Sequence, residues 1–287
     1  MRSSDRRRMD QTAASLLRGS SSLSSYAENA EEPGQEVPWV RSVTLRFYGE
    51  LNDLLLPSQR GRAFVRAVAG PARVKDAMEA SGVPHVEVDL IVRSGVTVGF
   101  EDRLKDGDRL AFYPALDLLH PDPECRLRPS PPTPVRFVAD AHLRRLARIL
   151  RLLGFDTLHN SRSSGEDAVG SAVRDARILL SRNRQLLRDR RLVWGRWIRS
   201  MDPLAQARET LQCFHLRSAV CSYTRCTICN GLLAAVDKST IEERVPPRTA
   251  AWLDAYVTCT NCGRIYWHGT HAGSLERLIG FVTDEAN

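Results

Sequence analysis

Apolar residues at Val43, Leu45 and Phe47 alternate with Thr44, Arg46 and Tyr48, the period of a strand with one buried face. Phe64 to Val68 predicts a second strand in a hairpin with the first. Val74, Ala77 and Met78 then fall at helical spacing, and Gly82 and Pro84 stop that helix. Val88, Leu90 and Val92 alternate again, Gly95 marks a turn, and Leu104-Lys105-Asp106-Gly107-Asp108 turns the chain into a last strand, Arg109 to Tyr113. Strand, strand, helix, strands is an α+β order.

A different pattern begins at Val135. Val135-Arg136-Phe137-Val138-Ala139 is a short apolar strand ending at Asp140, and Leu143, Leu146, Ala147, Leu150 and Leu153 follow a stripe of period 3.6, closed by Gly154 as the residue after the C-cap. Phe155 to Leu158 predicts a second strand, Gly165 to Asp175 a second helix, and Arg177 to Leu180 a third strand. Asn183 to Arg191 and Leu192 to Ile198 repeat the alternation. Strands separated by helices imply a parallel sheet with helices on both faces. Between the two patterns, residues 119–134, with Pro129, Pro131 and Pro132, lack periodicity and form a semi-rigid linker. Residues 1–40, rich in Ser, Glu, Arg and Gly, are expected to be a disordered tail. No apolar segment follows the basic residues Met1 to Arg8, and no run nears the ~20 apolar residues of a membrane span, so a cytoplasmic protein without a membrane partner is expected.

Seven cysteines in such a chain argue for metal ligation over disulfides. Cys226-x-x-Cys229 and Cys259-x-x-Cys262 each allow two sulfurs to reach one tetrahedral ion, which points to structural zinc. Asn230-Gly231 and Gly263 follow them and tolerate the positive φ that the turn after each second Cys requires. The 29 residues between the pairs imply a longer hairpin arm. Cys125, Cys213 and Cys221 lack a partner at metal spacing. Tyr266 and Trp267 are expected to pack in a small core, while His268 and His271 could pack or touch phosphate.

The net charge of +7 is concentrated in the middle of the chain. Pro134 to Ser200 holds 15 Arg, no Lys and 6 Asp or Glu, a net +9, which suits a polyanionic partner. Arg144, Arg148 and Arg151 share one face of the first helix beside Arg145, and Arg182 and Arg184 add to the field. Ligand and catalytic groups gather at the carboxyl ends of parallel strands, where Asp140 and the Ser181-Arg182-Asn183 corner are predicted to lie. Carboxylates converging there, with Glu166 and Asp167 as further members, could hold Mg²⁺ or Mn²⁺ and hydrolyse a phosphodiester. The alternative for each acid is a helix cap or first-turn residue.

Three runs, Phe137-Val138-Ala139-Asp140, Leu146 to Asp156 and Arg177-Ile178-Leu179-Leu180-Ser181-Arg182, together with Arg225 to Gly231 and Cys259 to Trp267, resemble the Mut-seven C-terminal ribonuclease family, which is PIN-like. Residues Ser42 to Leu116 resemble the ubiquitin-like β-grasp domains that precede it in many bacterial members. The resemblance implies a β-grasp domain over 41–118, an α/β PIN-like domain over 135–220 and a zinc ribbon over 221–280. It also implies metal-dependent RNA cleavage with Asp140 and Glu166 or Asp167 as ligands. Asn183 stands where family members usually carry Asp, and losing a carboxylate weakens binding of a hard cation. An RNA-binding or adaptor protein is therefore the alternative, with the β-grasp domain available to a protein partner. A sulfur carrier is disfavoured, because no free Gly-Gly terminus follows Ala115-Leu116-Asp117.

Overall fold

The computed structural model describes residues 40–115, 126–267 and 272–283. Residues 1–39 of the expected tail, Cys125, His268 and His271 lie outside the described residues, while Val40 already belongs to the first strand.

Strands β1 (Val40–Phe47), β2 (Phe64–Ala69), β3 (Leu90–Arg93), β4 (Val96–Thr97) and β5 (Arg109–Tyr113) form one sheet in the order β2-β1-β5-β3-β4, with helix α1 (Val74–Ala80) across one face. β1 and β5 are parallel, and their neighbours are antiparallel, which is the β-grasp arrangement. The alternation of β1 places Val43, Leu45 and Phe47 in the core against Met78, Ile91 and Phe112.

The second sheet contains β6 (Arg136–Ala139), β7 (Asp156–Leu158), β8 (Ile178–Ser181) and β9 (Gly195–Trp197), all parallel, in the order β7-β6-β8-β9. Phe137, Ala139, Ile178 and Leu180 face α2 (Arg144–Leu152), while Val138 and Leu179 face α3 (Gly165–Arg174), so both faces are covered. Gly154 ends α2 at φ +97, where a Cβ would lie 2.2 Å from the Cys221 carbonyl oxygen. The expected helix between β8 and β9 is only a 3-10 turn, Leu186–Arg188, because Asp189 accepts from the Arg191 N–H at 3.0 Å and closes the next turn. Helix α4 (Pro203–Cys213), capped by Asp202, covers the α2 side of the sheet.

The cysteine-bearing segment forms an antiparallel sheet, β10 (Leu233–Val236), β11 (Tyr256–Cys259) and β12 (Ile265–Trp267). The long insertion is not an extended hairpin arm. It coils into short helices α5 (Lys238–Ile241) and α6 (Pro247–Ala250), and Ile241, Val245 and Ala250 bury Tyr256, with Trp267 against them. The last helix, α7 (Ala272–Thr283), returns to the α/β core, where Val282 is fully buried.

The β-grasp domain docks on β9, the free edge of the parallel sheet. Val86 packs among Val138, Leu179 and Leu187, and a Cβ on Gly195 would come within 3.0 Å of the Val86 side chain. The fully buried Glu87 carboxylate accepts from the Trp197 N–H at 2.5 Å and from Arg196 Nη1 and Arg199 Nη2 at 3.3 and 3.2 Å. Glu50 forks onto Arg196 through both of its carboxylate oxygens. Burial pushes the Glu50 carboxyl up, but hydrogen bonding and charge from Arg196, with the charge of Arg199, hold it below its ordinary value.

Arg196→Met leaves Glu87 buried without its ion-pair partner on that strand, so urea unfolding should show a loss of about 3–5 kcal/mol; a loss under about 1 kcal/mol would contradict the assignment. Because the folded-state Glu50 pKa is depressed, its contribution is complete above the unfolded value of about 4.3 and disappears as pH falls through the folded one. Glu50→Gln should therefore destabilise the protein at pH 7 and flatten the fall of its melting temperature below about pH 4; an unchanged acid limb would contradict this.

Candidate functional site

The chain leaves β6 at Asp140, on the side where the parallel strands end. Asp140 is only 3% exposed. Its Oδ1 accepts from the His142 N–H at 2.9 Å, and its Oδ2 accepts from the Ser181 hydroxyl and from the Arg182 N–H at 3.2 Å. The Asp140 N–H donates to the Leu180 carbonyl at 3.0 Å, so the β6–β8 ladder runs up to the carboxylate itself. Of roughly four lone-pair directions on a carboxylate, three are engaged, which fixes its orientation and leaves room for one further ligand.

Asn183 is exposed at the same corner. Its N–H donates to Ser181 Oγ at 2.9 Å, and its Oδ1 accepts from the Gln185 N–H at 2.9 Å, an Asx turn that occupies the amide oxygen. The two acids of α3 have other partners. Asp167 forms a capping box with Ser164, whose N–H and hydroxyl each donate to Oδ2 at 2.9 Å; these bonds hold its carboxyl below the ordinary value. Exposed Glu166 accepts from Arg191 Nη2 at 2.6 Å, and Arg191 also binds Asp189, lowering that carboxyl to about 2. The structure thus joins Ser181, Arg182 and Asn183 to the Asp140 corner, and brings neither Glu166 nor Asp167 into a shared cation site with it. Among the described residues, only the cysteine cluster gathers three or more Cys, His, Asp or Glu ligand atoms close enough for one ion.

His159, which the sequence patterns did not single out, follows β7 at the same end of the sheet. Its Nδ1 lies 3.1 Å from the Asp140 carbonyl oxygen and 3.3 Å from that of Ala139. Both are acceptors, so Nδ1 carries the hydrogen, and Nε2 is buried without a hydrogen-bond partner. The available signal was position alone: a histidine just beyond a predicted strand at the carboxyl edge.

Of the six arginines predicted to face nucleic acid, Arg144, Arg145 and Arg148 are exposed on α2. Arg151 departs from that face. It is 5% exposed, and its guanidinium donates to the carbonyls of Thr157, Thr227 and Ile228, joining α2 to β7 and the first cysteine knuckle. Arg182 Nη1 binds the carbonyls of Ile198, Arg199 and Ser200. Arg184 Nη1 reaches the Leu54 carbonyl of the β-grasp domain at 2.8 Å.

The four cysteine sulfurs lie within 4.8 Å of one another, with Cys226–Cys262 at 3.7 Å and Cys229–Cys259 at 3.4 Å. A tetrahedral ion with Zn–S of ~2.3 Å spaces its sulfurs by about 3.8 Å, so the set fits one ion. The two knuckles match: the N–H of Cys229 points at Cys226 Sγ, and that of Cys262 at Cys259 Sγ, both at 3.5 Å. Asn230 and Gly263 take φ of 70 and 65. Gly231 is needed for a different reason, since a Cβ there would lie 2.9 Å from Cys259 Sγ. Burial raises the Cys226 thiol, but the Cys229 N–H, the Tyr266 hydroxyl at 3.0 Å and the Ile228 N–H draw it down to about 6. The Arg264 N–H lowers the Cys262 thiol, yet burial and the neighbouring sulfurs push it up to about 12. Four cysteine sulfurs this close offer the ligand set of one metal ion, whose charge would favour their thiolate forms.

Asn230 fastens this cluster to the sheet. Its Oδ1 accepts from the Thr157 N–H at 3.0 Å, and its Nδ2 donates to Asp156 at 2.7 Å, beside the Arg177–Asp156 pair. Among the described residues no helix is long and apolar enough to cross a membrane. Residues 135–279 match the family model of the Mut7-C RNAse domain, and residues 40–119 match that of the Mut7-C ubiquitin domain. No curated protein and no solved structure gives a significant match. With half of its length in the first match, and the sheet, the β-grasp domain and the four-cysteine ribbon in the expected order, the chain belongs to the Mut7-C RNAse domain family.

Proposed function

We propose that this chain is a metal-dependent ribonuclease that hydrolyses RNA phosphodiester bonds at the Asp140 corner. The observation that carries the proposal is a buried carboxylate, fixed by three donors, at the carboxyl edge of a parallel sheet in a chain of this family. In this reading Asp140 is the first ligand of a Mg²⁺ or Mn²⁺ ion. The family resemblance would make Glu166 or Asp167 a further ligand, whereas in this structure Glu166 is paired with Arg191 and Asp167 with Ser164. When bound there, such an ion would polarise the phosphodiester and make water a better nucleophile. Ser181 and the Arg182 N–H keep the carboxylate oriented. Arg144, Arg145 and Arg148, exposed on the helix that follows Asp140, hold phosphates of the RNA strand without reading its sequence.

The occupied Asn183 amide supports a second reading, an RNA-binding adaptor with little or no catalysis. In both readings a structural zinc held by Cys226, Cys229, Cys259 and Cys262 fastens the ribbon to the sheet, and reduced cysteines suit the cytoplasm.

With Mn²⁺ or Mg²⁺, labelled RNA should be cut by the wild type and at least about 100-fold more slowly by Asp140→Ala; Asn183→Asp should raise the rate, because it adds a carboxylate to a cation site. RNA binding without cleavage by all three proteins would favour the adaptor. Elemental analysis should find one zinc per chain. Tyr266→Phe, which deletes the hydroxyl beside Cys226 Sγ, should weaken zinc retention against a chelator by about tenfold; unchanged retention would show that the hydroxyl does not support the site.

A further inference from the structure

The Trp197 side chain packs against the cores of both the β-grasp domain and the α3 side of the parallel sheet. Its backbone N–H is held by the buried Glu87 carboxylate of the β-grasp domain at 2.5 Å. Its indole Nε1–H donates to the Arg182 carbonyl at 3.2 Å, and the Arg182 N–H donates to Asp140 Oδ2 at 3.2 Å. The ring is clasped by guanidinium groups, Arg184 at 5.1 Å and Arg199 at 5.2 Å. Arg184 is itself tied to the β-grasp carbonyl of Leu54, and Arg199 to Glu87 and the β-grasp carbonyl of Glu50. The corner peptide between Ser181 and Asn183 is therefore fixed from the side of the β-grasp domain, through contacts that run from Glu87 to Trp197, to Arg182 and to Asp140.

We infer that the β-grasp domain is a positioning element of the Asp140 site, with Trp197 as the positioning residue that transmits its placement. Displacement of a reacting group by about 1 Å costs on the order of 100-fold in rate, so a corner peptide needs such a support. Glu87 and Glu50 set the height of β9, the indole N–H holds the Arg182 carbonyl, and the same residue's N–H, in the peptide that precedes that carbonyl, is aimed at the carboxylate. A molecule that loosens the β-grasp domain from β9 would release the corner by the same route. This inference deepens the ribonuclease proposal, and its test does not depend on that proposal.

The test uses the full zinc-loaded chain and two matched variants. Trp197→Phe keeps an aromatic ring between the arginines and removes only the Nε1–H donor. Trp194→Phe removes the same donor from a neighbouring tryptophan, whose Nε1 binds the Pro129 carbonyl at 2.9 Å, away from the corner. Amide hydrogen exchange at Arg182 and Asn183 should accelerate about fivefold in Trp197→Phe and stay at the wild-type rate in Trp194→Phe, the effect expected for one hydrogen bond. Where the wild type cleaves RNA, kcat of Trp197→Phe should fall by a similar factor with KM unchanged. Equal exchange in all three proteins would overturn the inference, as would faster exchange with unaltered kcat in an active protein. Should the wild type prove inactive, the nuclease proposal fails alone and the exchange result still decides whether Trp197, the residue seated against the β-grasp domain, holds the corner.

Discussion

A fully buried carboxylate at the edge of a parallel sheet is the constraint on which the rest of this structure depends. Glu87 meets an edge-strand N–H and two guanidinium groups with its side chain fully buried, and such a group is tolerable only when it is fully paired. Its partners are on β9 and just beyond it, so the β-grasp domain cannot move away without stranding a charge. The interaction also covers the open edge of the sheet, where an unpaired strand would otherwise invite another chain. The Val86 contact with Gly195 adds apolar burial to the same joint.

A second joint on the opposite edge has similar chemistry. Beside β7, Arg151 and Asn230 connect the α/β core to the first cysteine knuckle through backbone carbonyls, an N–H and the Asp156 carboxylate. Burial raises the Asp156 carboxyl, and Arg177, Asn230 and Arg225 together hold it below its ordinary value. The four-stranded sheet is thus clamped at both edges, by Glu50 and Glu87 of the β-grasp domain on one side and by the four-cysteine ribbon on the other. The Asp140 corner lies between the clamps, at the end where its strands terminate.

Much of this was legible in the sequence because it is local. Alternation at Val43, Leu45 and Phe47, the stripe from Leu143 to Leu153, and the paired CxxC spacings each reflect a rule that acts within about ten residues. Helix α4 was missed although Asp202-Pro203 is an N-cap followed by proline at the first helical position, a signal that composition alone obscures. The arginines show where local rules end. Arg144, Arg148 and Arg151 occupy one face of an ideal helix, yet Arg151 turns inward because carbonyls 76 and 77 residues away need donors. Asp167 and Glu166 read equally as cap residues or ligands, since one sequence pattern serves both, and only their partners Ser164 and Arg191 distinguish the state seen here. The Glu87–Arg196 contact spans 109 residues and leaves no periodic trace.

These features describe a family fold whose acidic corner is well built around one carboxylate and sparsely furnished with others. The proposed ribonuclease activity requires a divalent cation at that carboxylate, separate from any ion held by the cysteine cluster. Anomalous diffraction from crystals of the full chain grown with Mn²⁺ tests this most directly. A manganese peak in contact with Asp140, distinct from any ion at the cysteine cluster, is expected; an empty Asp140 corner in crystals whose cysteine cluster holds an ion would overturn the proposed activity.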